Sequence, residues 1–197
     1  MSVKSRQDPN DIESLSDLGR MSTIDEKYKR LFKGANVFER EKMEPLLLSF
    51  LRDHPDYAPA FRLRGLMLEY EIALEQSQDI SVESYDPRLE IMRKSYEGAL
   101  QADPQYILAA IDLGDYWNDF ANDPEIAIEY YDRAILLLKS GQCTEDRDAE
   151  LRDAYKGKIQ ALIVLDKKDA AAHCREQAIV DCREDEFADM KIPDGDT

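Results

Sequence analysis

The sequence predicts an all-α protein, a solenoid of antiparallel helix pairs with about eight helices in all. Three observations lead there. Apolar residues recur at spacings of three and four between about 22 and 182, with almost no strict alternation. That is the period of amphipathic helices rather than strands. Breakers then divide the helical stretch at "HPDYAP" (54–59), "SYDP" (84–87), "ADPQY" (102–106) and "ANDP" (121–124). Finally, the segments between breakers repeat one another. "HPDYAPAFRLRG" aligns with "DPQYILAAIDLG", with Pro55 ten residues before Gly65 and Pro104 ten before Gly114. "SYEGALQADP" aligns with "YYDRAILLLK", so Tyr96 and Ala99 match Tyr131 and Ala134 thirty-five residues on. A shared register of this kind marks stacked helical units.

In chain order, residues 1–20 form a polar N-terminal tail, and a helical domain spans 21–183. Its first unit, 22–55, is degenerate and closes at Pro55, with His54 at a helix end where a cation suits the exposed carbonyls. The second unit, 56–104, contains Asp86-Pro87, and the third, 105–144, contains Asp123-Pro124. Both pairs read as an N-cap followed by proline at the first helical position. There the missing N–H costs nothing, and the carboxylate faces the orphan amides. The fourth unit is 145–183, and 184–197 reads as an acidic tail. Two insertions, around 71–86 and 139–150, predict lengthened helices or projecting loops that could set specificity.

On these residues the chain resembles the tetratricopeptide repeat family, over about 160 residues. The pattern is clearest in the third unit, with Ala110, Leu113, Gly114 and Trp117 on one helix and Ala127, Tyr131 and Ala134 on the next. The second unit supplies Phe61, Gly65, Leu68, Tyr96, Ala99 and Pro104, and the fourth supplies Tyr155, Leu162, Ala171 and Ala178. The resemblance implies a right-handed solenoid. Small residues would sit where helices cross, and aromatic residues beside them would fill the volume. Tyr131 is thus expected in the core, its hydroxyl reaching an edge or a water. Arg64 and Lys158 stand where the pattern expects leucine and should send their charged heads outward.

A net charge of −16 argues against a nucleic-acid partner, because phosphate binding needs a cationic face. No apolar run approaches the length of a membrane helix, so membrane insertion is not expected. Three cysteines without disulfide spacing, and an N-terminus without an apolar signal, point to the cytoplasm. No phosphate loop, nucleophile elbow or His-Glu-x-x-His motif is present, and an enzyme is not expected. His173, Cys174 and Cys182 are the weak candidates for a metal or catalytic cluster, and Cys143 reads as a loop thiol. They lack a paired-cysteine spacing and an obvious fourth ligand, so no metal or other cofactor is expected.

The function expected is therefore a non-enzymatic adaptor or scaffold that binds a segment of another protein. The alternative is a chaperone of the same architecture that holds a secreted or assembly-prone client. The resemblance places partners on the concave face of the first helices. At spacings i, i+4 and i+7 that face would present Arg62, Leu66 and Glu69, then Ile111, Asp115 and Asn118, then Lys156, Gln160 and Ile163. Asp112, Asp115 and Asp153 near this face disfavour a carboxylate-terminated ligand. Self-association through the end units is a further expectation.

Overall fold

The structure, a computed structural model, describes residues 23–32, 40–83, 85–141, 146–182 and 187–192. The N-terminal tail 1–20 and Cys143 lie outside the described residues. Among the described residues eight α-helices follow in order: α1 (Ile24–Phe32), α2 (Arg40–Asp53), α3 (Ala58–Ser77), α4 (Pro87–Ala102), α5 (Ile107–Asp115), α6 (Pro124–Lys139), α7 (Arg147–Val164) and α8 (Lys168–Cys182). Each packs chiefly on its sequence neighbours, and no strand occurs among the described residues. This is an all-α solenoid.

Local chemistry sets the helix ends. Thr23 and Glu26 exchange backbone N–H bonds in a capping box at the start of α1. Asp86 accepts from the Arg88 N–H at 2.8 Å and Asp123 from the Ile126 N–H at 3.2 Å, each with proline at the first turn. Asp146 caps α7 in the same way. The insertion at 71–86 is largely helix: α3 runs to Ser77, and a turn through Asp79, at φ 59°, follows. Arg88 ties that extension down by bonding Glu71, Glu75 and Asp86. In the other insertion, α6 ends at Lys139 and α7 opens at Arg147. Arg64 and Lys158 do reach carboxylates, Glu44 and Asp132 respectively.

The small residues sit where bulk would collide. A Cβ on Gly114 would stand 2.5 Å from Cε1 of Tyr131, and one on Gly157 would meet the same ring from α7. Tyr131 is thereby held between its own helix pair and the next. Gly65 receives Tyr96 in the same manner. Phe61, Ala99, Leu113, Ala127 and Ala134 pack around these contacts, with Trp117 half-buried beside them. Pro104 stands exposed in the turn before α5, its carbonyl accepting from Arg133.

Two departures from expectation stand out. After α5 the chain continues as a π-helical turn, Tyr116–Phe120, closed by the Ala121 N–H on the Tyr116 carbonyl at 3.0 Å. Within the segment expected to be an acidic tail, the described residues 187–192 dock against the last helices. Phe187 is fully buried against Tyr155, with ring centroids 6.4 Å apart, and Arg175 donates to the Met190 carbonyl. One large apolar side chain outweighs the exposure of its charged neighbours.

The buried side chains separate into two main groups. One runs from α3 to α8 and includes Tyr96, Leu113, Tyr155 and Phe187. The other joins α1, α2 and the first half of α3 through Phe32, Leu47, Phe50 and Met67.

Candidate functional site

A cleft of about 790 Å³ opens between α1 and the starts of α3, α5 and α7. Its volume lies within the range of ligand sites, about 300–1,000 Å³. Leu63, Leu66 and Leu108 give it an apolar lining, and Tyr28, Tyr57 and Tyr106 add aromatic surface. Tyr57 and Tyr106 occupy the N-cap positions of α3 and α5, so the solenoid's repetition delivers a tyrosine to the cleft from each. Tyr28 donates to the Pro59 carbonyl at 3.2 Å and Tyr57 to Asp25 at 2.8 Å, and their rings lie 5.0 Å apart. Burial pushes all three phenols up, which keeps them neutral across the physiological range.

Arg62 links this cleft to a half-buried polar cluster around the buried Asp112. Its guanidinium grips Asp112 across the α3–α5 contact, Nε to Oδ2 at 2.6 Å and Nη2 to Oδ1 at 3.1 Å. Burial pushes the Asp112 carboxyl up to about 6 while Arg62 restrains it, and Asp112 holds the guanidinium well above its ordinary value. Nearby, Tyr96 donates to Glu69 and Tyr131 to Asp115, the latter at 2.7 Å. Desolvation raises Glu69 and takes Asp115 to about 7, reinforced in both by neighbouring acids and opposed by the phenol bonds. Raised carboxyls beside a cleft are an active-site signature. Here each one is engaged by a tyrosine or arginine that also holds helices together.

The expected groove residues divide accordingly. Arg62 and Leu66 line the cleft, while Glu69 and Asp115 belong to the half-buried polar cluster. Ile111, expected on the groove surface, is instead part of the main core, because α5 is apolar on nearly every side and packs on α4, α6 and α7. Asn118 lies in the π turn and donates to Asp119. Lys156, Gln160 and Ile163 lie farther along α7, which reaches the cleft only through Glu150, with its cap Asp146 alongside. Counting from helix middles therefore missed the tyrosines. The alignment held the signal, since Tyr57 and Tyr106 each follow their proline by two residues.

His173 is exposed beside Gln177, whereas Cys174 and Cys182 are buried and outside any disulfide, and burial pushes Cys174 up to about 11. No group of three metal-ligating side chains occurs among the described residues, and no described helix is long and apolar enough to cross a membrane. No protein-family model matches the chain, and neither does any curated protein compared with it.

Proposed function

We propose that this chain is a tetratricopeptide-like adaptor of the cytoplasm, without catalytic activity of its own, that binds a segment of a partner protein in the α1–α3–α5–α7 cleft. The observation that supports this reading is the combination of three tyrosines with Leu63, Leu66 and Leu108 around one concave opening. Aromatic residues dominate protein-recognition energetics because they cover a large area with few rotatable bonds. Tyr28 and Tyr57 are further fixed by hydrogen bonds, so little order remains to be gained on binding.

Site-specific photo-crosslinking tests it. A benzophenone side chain at Leu108, inside the cleft, should capture a partner protein in the host cell. One at Leu136, exposed on α6, should not. Capture from Leu136 alone would overturn the assignment. Charge reversal at Arg62 or Asp115 is a poor probe, because both residues brace the fold.

A further inference from the structure

We infer that the cleft selects a peptide segment in which lysine or arginine is interspersed with leucine-like side chains. This rests on reading the cleft as the binding site and adds the chemistry of its occupant. Among the described residues, five charged side chains line the opening: Lys29, Arg62, Asp103, Asp146 and Glu150. Arg62 has its charge matched by the two-point contact with Asp112 behind it. The lining among the described residues is otherwise the Lys29 ammonium on α1 against the carboxylates of Asp103, in the turn before α5, and of Asp146 and Glu150 at the start of α7. A chain of net charge −16 adds a long-range field of the same sign. The tyrosine rings favour the same occupant, since a guanidinium or ammonium is attracted to an aromatic face. The leucines require apolar side chains between the cations. An acidic segment would meet the carboxylate wall and lose affinity.

The wall can be neutralised without unfolding it. Asp103 accepts from the Gln105 N–H at 2.9 Å and Asp146 from the Ala149 N–H at 3.3 Å. Asparagine makes the same bonds as well as aspartate does. Asp103→Asn with Asp146→Asn therefore removes two charges and keeps the turn bond before α5 and the cap of α7.

The experiment is selection of a random dodecapeptide display library on the full chain, with Leu66→Asp and, separately, Leu63→Asn as cleft-defective controls. Each control is first checked for wild-type helicity. Peptides enriched on the wild type, and lost on whichever control folds, should be rich in lysine and arginine flanked by leucine or aromatic residues. A synthetic peptide of the enriched sequence should bind the double asparagine variant about fivefold more weakly, and added salt should weaken its wild-type binding. Enrichment of acidic or uncharged peptides that the controls abolish would overturn this inference and leave the cleft as the binding site. No enrichment over the controls would overturn both.

Discussion

Replacing Asp115 by asparagine should stabilise the protein, and more so at pH 8 than at pH 5. In the native protein the Asp115 carboxyl titrates near 7 rather than 3.8, because burial and the facing acids Asp112, Glu69 and Asp119 oppose its charge. The folded state therefore holds this proton more tightly than the unfolded chain does. Its stabilising contribution is complete below pH 3.8 and lost as pH rises through about 7. The full difference corresponds to ~4 kcal/mol, at about 1.4 kcal/mol for each tenfold change in proton affinity. Asp115 is only partly shut off from water, and screening reduces the effect to about 1–2 kcal/mol. Asparagine still accepts from the Tyr131 hydroxyl and brings no charge. Urea denaturation followed by far-UV circular dichroism at pH 5, 6, 7 and 8 reads the result. The wild type should lose stability across this range more steeply than Asp115→Asn. Parallel profiles for the two proteins would refute the reasoning and make Asp115 an ordinary hydrated carboxylate.

Gly114→Ala should cost about 2 kcal/mol in the same denaturation assay, because the new methyl meets the Tyr131 ring at a helix crossing with no room to retreat. Arg62→Met should destabilise by about 3 kcal/mol by leaving Asp112 buried without its partner, and adding Asp112→Leu should recover most of that loss. A double variant no more stable than Arg62→Met would show that the pair is not the cause. Phe187→Ala should cost about 3 kcal/mol, and a melting temperature equal to the wild type's would mean that this segment does not dock in solution.

The parts of the fold legible in the sequence were those set by neighbouring residues. Asp86 and Asp123 cap helices because an aspartate followed by proline has little else to do at a helix start. The packing role of Tyr131 followed from its register between Ala127 and Ala134. Its hydrogen bond to Asp115 did not, because that contact depends on how far α5 and α6 rotate about each other. Phe187 was hidden for a different reason. It stands alone in "REDEFADM", where charge density masks a single apolar anchor whose partner, Tyr155, lies two helices back. The cleft opens at the starts of α3, α5 and α7, the helices on which the groove was expected, rather than along their middles. Repeat spacing identifies a helical face, but turn conformation decides which end of each helix becomes concave.

The division of the buried side chains into two groups bears on how the protein breathes. Phe32, Leu47 and Phe50 hold α1 and α2 to α3 through a core separate from the one that unites α3 to α8. In native-state hydrogen exchange the amides of α1 and α2 should therefore exchange through a partial opening, at lower free energy than those of α4 to α7. Tyr28 belongs to this detachable block, whereas Leu108 and Glu150 belong to the body that stays folded. One wall of the cleft should then open at lower free energy than the other. Any ligand that touched both walls would then slow exchange in α1 and α2 by latching that block to the body.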